Sequence, residues 1–180
     1  MHPGHVGNCL WLGAYEEPLD RLVRALKYEA ATRLAPWLGR ALAEQATRLG
    51  WCPDVVCPVP LHPVRRRHRG YNQAALLARE LARVLDVPCL QLLARRRPTL
   101  PQARLSRAAR AANVAGAFLA EPAQTAGRCV LLVDDVLTTG ATAAACAAAL
   151  RRAGARRVRV AVVARADRPP PTGRSGTANG

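Results

Sequence analysis

The chain has 180 residues, half of them apolar, and a formal net charge of +15. That length suits one domain with a core of its own. No apolar run reaches the ~18 residues of a membrane span, and the first residues lack the basic flank and apolar stretch of a secretory signal. A cytoplasmic protein without membrane insertion is therefore expected. Lys27 is the only lysine; with arginine supplying every other basic residue, composition explains their identity, and their placement is what informs. Aromatic residues, at 4%, are too few for long stacking platforms on single strands. The six cysteines contain no C-x-x-C pair, so no protein-ligated metal is expected.

In chain order, Leu19, Leu22, Val23 and Leu26 fall at helical spacing. Asp20 in the first turn and Lys27 in the last suit the helix dipole. A second helix is predicted from Pro36 to Leu49, with Gly50 as its stop. Residues 1–50 are thus expected to be a small helical region, and 51–166 the main domain. There, Asp54–Pro60 reads as a short buried strand ended by its prolines, and Leu61–Tyr71 as a charged loop. Asn72 is the expected cap of a helix over Gln73–Leu85. Val87–Leu93 and Gly116–Leu119 are candidate strands on either side of Arg95–Asn113, an arginine-dotted excursion of a length that often carries function. Cys129–Val133 has the unbroken apolar character of a central parallel strand. Thr142–Ala153 is helical by composition, Gly154 caps it, and Val158, Val160 and Val162 alternate as a strand. Residues 167–180 are too polar and proline-rich to bury a core and are expected to be a disordered tail. The alternation of strands and helices predicts an α/β fold with a parallel sheet and crossover helices.

The most informative stretch is Val130–Thr142, VLLVDDVLTTGAT. Ligands of open α/β sheets bind at the carboxyl ends of the strands, where this stretch places Asp134 and Asp135. Carboxylates accept hydrogen bonds and can hold a vicinal diol. The hydroxyl and small residues Thr138, Thr139, Gly140, Ala141 and Thr142 then lead into a helix N-terminus, where free N–H groups and the dipole favour a phosphate. A diol followed by a phosphate spells a ribose phosphate. All 13 positions of this stretch resemble the motif of the type I phosphoribosyltransferases for phosphoribosyl pyrophosphate (PRPP). The resemblance implies Asp134 and Asp135 on the ribose hydroxyls, Thr138–Thr142 around the 5-phosphate, and Mg²⁺ carried by PRPP rather than held by protein ligands. Purine-salvage members usually have an aspartate where this chain has Thr138, which argues against purine salvage.

A pyrophosphate leaving group needs positive charge and backbone donors. Pro58–Pro63 followed by Arg65-Arg66-Arg67-His68-Arg69-Gly70-Tyr71 sits behind an early strand and can reach the same sheet edge. Arg69 and Gly70 are the leading candidates, with Arg65 behind them, and His62 and His68 are expected to be ordinary loop residues. The run PVPLHPVRRRHRGYNQAALLA, the upstream GAYEEPLDRLVRALKY and the spaced residues Arg97, Thr99, Gln102, Arg110, Asn113, Gly116 and Phe118 together resemble the ComF family. That resemblance implies a type I phosphoribosyltransferase-like parallel sheet flanked by helices, with a flexible hood loop bearing Thr99, Gln102 and Arg110. Many family members begin with a cysteine-rich zinc ribbon, but only Cys9 precedes Gly13 here, so zinc is not expected. The function implied is transfer of ribose 5-phosphate from PRPP to an acceptor that the sequence does not name, with Asp134, Asp135 and Arg69 as the catalytic set. The alternative is a non-catalytic accessory factor for single-stranded DNA uptake, working with competence machinery.

Overall fold

The computed structural model describes residues 4–95 and 116–166, and the structural statements below concern those residues. The strands are β1 (Gly4–Val6), β2 (Cys9–Ala14), β3 (Val55–Pro58), β4 (Leu93–Arg95), β5 (Phe118–Ala120), β6 (Cys129–Leu137) and β7 (Arg157–Arg165). The helices are α1 (Leu19–Tyr28), α2 (Leu34–Arg48), α3 (Pro63–Arg69), α4 (Gln73–Leu85), α5 (Pro122–Thr125) and α6 (Ala141–Arg152). Five strands form one sheet in the order β1-β2-β7-β6-β3. Within it β2, β7, β6 and β3 are parallel, and β1 is an antiparallel addition at the edge. The α/β architecture expected from the sequence is therefore present.

The apolar run at the start of β6 is central because the sheet is covered on both faces. The strand period sends Leu131 and Val133 to one face, against Leu26 of α1, Leu38 and Leu42 of α2, and Leu77 and Leu81 of α4. It sends Val130 and Leu132 to the other, against Cys146 and Leu150 of α6 and Phe118 of β5. On the first face α2 and α4 pack backbone to backbone at Gly39. A Cβ there would lie 2.8 Å from Cβ of Glu80 and 2.9 Å from the Leu77 carbonyl oxygen, so only glycine fits. Burial pushes the Cys57 thiol up to about 12, so this cysteine serves as a small apolar filler rather than a nucleophile.

Several elements differ from expectation, each for an identifiable reason. Residues 1–50 contain the two predicted helices, but strands precede them. Leu10 and Leu12 alternate into the core, and β2 pairs with β7 from Cys9↔Val160 to Ala14↔Arg165. The charged Leu61–Tyr71 stretch is not all loop, because α3 forms inside it. His62 Nδ1 accepts from the Val64 N–H (3.2 Å), Pro63 takes the first turn, and Gly70 ends the helix at φ +81°. Val87–Leu93 supplies only a single parallel bridge, Val56↔Cys89, and the chain then pairs as β4 with β5 instead. Strand β6 runs past Val133 to Leu137, with Asp134↔Val162, Val136↔Ala164 and Leu137↔Arg165 in register with β7. Backbone pairing does not stop at a charged side chain, so the acidic pair lies within the strand, two residues before its end, rather than opening the loop. Asn72 caps α4 as expected, its Oδ1 accepting from the Ala74 N–H at 3.1 Å. Residues 167–180 lie outside the described residues, as do Thr99, Gln102 and Arg110. The antiparallel β4–β5 pair brings together the two ends of the segment that carries those three. No helix among the described residues is long and apolar enough to cross a membrane.

Candidate functional site

At the carboxyl ends of β3 and β6, a cleft of about 1230 Å³ opens between the end of α1, the arginine helix α3 and the start of α6. That exceeds the usual range for one small ligand. Its walls carry Asp134, Asp135, Thr138, Gly140, Ala141 and Thr142 together with Arg65 and Arg69. Two stretches far apart in sequence, both singled out for phosphosugar chemistry, thus meet. Gly70 and Thr139 are not among the lining residues.

The two carboxylates differ in kind, because neighbours on a strand point to opposite faces. Asp135 follows Leu131 and Val133 to the α1 side, where its Oδ1 lies 2.9 Å from Nζ of Lys27. It is only 4% exposed, and its other oxygen, Oδ2, is buried with no hydrogen-bond partner. Asp134 lies toward α6, where its charge acts on Cys146, and its Oδ1 accepts from the Asp135 N–H at 2.9 Å. Burial, reinforced by the charge of Asp135, pushes the Asp134 carboxyl up to about 7. Burial of Lys27 works against its ammonium, but the charge and hydrogen bond of Asp135 outweigh it, so Lys27 is held above its ordinary range. Asp135 is therefore the ion-paired member of the couple, and Asp134 the one poised between its two protonation states.

The loop Thr138–Gly140 turns the chain from β6 into α6. Gly140 takes φ +76°, a left-handed conformation that a side chain would strain. Its carbonyl accepts from Ala144 at 2.8 Å, starting the helix. The first turn of α6 offers backbone N–H groups with no acceptor one turn back, and the dipole adds positive potential. Thr139 Oγ1, beside that turn, is also buried without a partner.

The basic wall differs in detail from expectation. Arg69 hydrogen-bonds Gln73 and stacks over the Tyr28 ring at 5.4 Å. His62 is a helix cap rather than a plain loop residue. Its ring is held below the ordinary range by partial burial and by the charges of Arg95 and Arg65. Arg95 is likewise held below its ordinary range by burial and then by Arg65. Like charges gathered on one wall favour an anion between them. Among the lining residues that sequence reasoning missed are Lys27, Tyr28 and Arg95. Lys27 carried a signal, since it is the one lysine in a chain where arginine supplies all other positive charge. Tyr28 is 75% exposed and Arg95 closes a short strand, and neither carried one. Among the described residues no cluster of His, Cys, Asp and Glu forms a metal cage.

Comparison with known proteins fits this geometry. A family model for the phosphoribosyl transferase domain matches residues 72–175. The chain is 35% identical to Competence protein F of Haemophilus influenzae over 184 residues, covering 90% of this chain and 79% of that one. It is 38% identical to the DNA utilization protein YhgH of Escherichia coli K12 over 154 residues, covering 81% of this chain and 66% of that one. Among solved structures it superposes on the glutamine PRPP amidotransferase of B. subtilis with a TM-score of 0.53 at 25% identity, over 73% of this chain and 26% of that chain. It also superposes on the adenine phosphoribosyltransferase of Leishmania donovani at 0.53 and 13% identity, over 91% and 86%, a likeness of fold alone. The domain match begins at Asn72, whereas the match to the Haemophilus relative covers 90% of this chain and so extends well before that residue. With fold, motif and relatives in agreement, the chain belongs to the ComF family of proteins built on a type I phosphoribosyltransferase domain.

Proposed function

We propose that the cleft binds PRPP and supports transfer of its ribose 5-phosphate to an acceptor, with release of pyrophosphate. One observation carries this reading. A buried oxygen without a partner, Asp135 Oδ2, belongs to a residue of the cleft wall, and the threonines of the loop after β6 lead into the N-terminus of α6 on the same wall. A buried polar atom left unpaired is costly, so such atoms mark where a ligand completes the bonding. A carboxylate oxygen suits a sugar hydroxyl, and a threonine hydroxyl beside a helix N-terminus suits a phosphate.

In this reading Asp134 and Asp135 hold the ribose, and Thr138–Thr142 hold the 5-phosphate. Arg65, Arg69 and Arg95 face the pyrophosphate, with Gly70 setting the end of the arginine helix. As the glycosidic bond breaks, positive charge develops on the ribose and negative charge on the departing pyrophosphate. Fixed guanidinium groups stabilise the latter without reorganisation, and the carboxylates keep the ribose oriented for in-line attack. The residues present fit a divalent cation that arrives with the ligand. Lys27 already engages Asp135, and Asp134 is pushed toward its neutral form, so neither is a ready metal ligand. Mg²⁺ bound to PRPP would supply charge neutralisation on the pyrophosphate. Thr99, Gln102 and Arg110 belong in this proposal to the loop that covers the bound ligand.

Calorimetric titration of the full chain with PRPP and Mg²⁺ should show a single site. It should also raise the melting temperature, since a ligand at 100 times its Kd adds about 2.7 kcal/mol. A folded protein with no heat and no thermal shift would overturn the reading.

A second reading concerns DNA. Helix α3 buries none of its residues and leaves Arg65, Arg66 and Arg67 exposed, with Arg65 on the cleft wall. The names of the relatives, competence protein and DNA utilization protein, point the same way. Single-stranded DNA should then bind with a strong salt dependence. Replacing all three arginines by serine should lower the slope of log K against log salt by about 2, at roughly 0.7 per phosphate contact. An unchanged slope would remove α3 from any DNA contact.

A further inference from the structure

The family match begins at Asn72, yet one side chain at the base of the cleft comes from Lys27, 45 residues earlier. Its position is fixed with unusual care. Tyr71 donates its hydroxyl to the Leu26 carbonyl at 2.6 Å, and Arg69 stacks over Tyr28 at 5.4 Å. Leu26 itself is fully buried in the core. The residues before and after Lys27 are therefore both clamped by the segment that follows β3, and Lys27 between them reaches Asp135 at 2.9 Å. A lysine serving only helix solubility would point to water, whereas this side chain is 19% exposed. A pair serving only structure would use both carboxylate oxygens, whereas Asp135 Oδ2 stays buried and unpaired.

We propose that Lys27 is a positioning residue of the sugar site, holding Asp135 charged and by one oxygen so that the other is presented to a ribose hydroxyl. This rests on the PRPP reading above and deepens it. The chemistry is sound on two counts. A buried carboxylate without a counter-ion takes up a proton and then donates where it should accept. PRPP is strongly anionic, so two uncompensated carboxylates beneath it would repel it, and the ammonium cancels one of them. Lysine suits this task better than arginine, because a compact ammonium contacts one oxygen where a planar fork would engage both.

The ionisable groups that face Asp135 are Lys27 from α1 and Asp134 on its own strand. Tyr15, from the segment after β2, also acts electrostatically on Lys27, and both Tyr15 and Arg69 line the same cleft. The test compares Lys27→Gln, which keeps a donor but removes the charge, with Lys27→Arg, which keeps the charge. PRPP affinity in the presence of Mg²⁺ is measured by calorimetry from pH 6 to pH 9, with thermal melts confirming the folded state. In parallel, ¹³C NMR follows the aspartate carboxyl groups of the ligand-free proteins. The expected result for Lys27→Gln is affinity weaker by at least about tenfold at pH 7, the worth of one charge-assisted hydrogen bond. The deficit should narrow toward pH 9 as Asp135 ionises unaided, and its carboxyl resonance should titrate at higher pH than in the wild type. Lys27→Arg should recover most of the ionisation but only part of the affinity. Equal affinity and an unchanged pH profile in folded Lys27→Gln would overturn the proposal. If the wild type binds no PRPP, the functional reading fails on its own. The carboxyl titration then still decides whether Lys27 sets the state of Asp135, and an unshifted resonance rejects it.

Discussion

Replacing Asp134 by asparagine should stabilise the ligand-free protein above neutral pH while weakening its grip on PRPP. Burial, helped by Asp135, places the Asp134 carboxyl at about 7, against 3.8 for an ordinary aspartate. The folded state therefore binds a proton more tightly than the unfolded chain does. Below about pH 4 both states are protonated, and the group contributes no penalty. Between pH 4 and 7 the unfolded chain has released the proton and the folded state has not. Stability then falls as pH rises, by at most about 1.4 kcal/mol per unit. Above 7 both are ionised and the penalty is constant. Asparagine cannot ionise, so the variant should lose this slope. Urea unfolding at pH 5 and pH 8 should show the variant gaining on the order of 2 kcal/mol relative to wild type between the two conditions. Calorimetry should show weaker PRPP binding, because an amide offers one acceptor oxygen where a carboxylate offers two. A parallel pH profile for the two proteins would mean that Asp134 is ionised throughout.

Asp135→Ala should have the opposite sign for stability. It strands the ammonium of Lys27 in a largely buried setting. Breaking a buried pair by removing one partner costs about 3–5 kcal/mol, and the low end applies here because the lysine stem can swing toward the cleft. A loss of about 3 kcal/mol lowers the melting temperature of a chain this size by roughly 6–12 °C. PRPP binding should vanish with it. Pairing the change with Lys27→Met removes the stranded charge, so thermal melts should recover most of the lost stability, while calorimetry should still detect no binding. Recovery of both would make the pair purely structural. Neighbouring aspartates in one motif are thus expected to respond in opposite directions, which no reading of the motif as two equivalent acids would anticipate.

Much of this site was legible in the sequence, and what was missed follows a pattern. The run from Val130 to Thr142 revealed its ligand chemistry because strand, acids, small residues and helix start are contiguous. Arg65 and Arg69 were within reach because prolines and a strand fixed where their segment must lie. The pairing of Lys27 with Asp135 was not, because sequence periodicity describes one helix at a time. Lys27 satisfied the dipole of α1 and gave no hint of a partner more than a hundred positions away. Strand β2 was hidden for another reason. The alternation of Leu10 and Leu12 around Trp11 is short and bounded by glycine, and only pairing with β7 makes it a strand. Helix α3 was legible in principle from Pro63 and Gly70, but a dense charge run reads as loop unless its caps are weighed first.

Strand β2 has a consequence for how the molecule is divided. The phosphoribosyl transferase match covers residues 72–175, which invites a boundary somewhere before α4. Yet β7 is an interior strand only because β2 lies along it, and its Val158, Ala161, Val162, Val163 and Ala164 are all buried. A chain cut at such a boundary would expose the unpaired N–H and C=O groups of a long, flat, apolar edge, the kind of surface that recruits other strands and aggregates. It would also lose the helix that delivers Lys27. The early segment is thus a seam of the sheet: its strand β2 seals β7 against self-association, and its helix α1 brings the cleft its lysine.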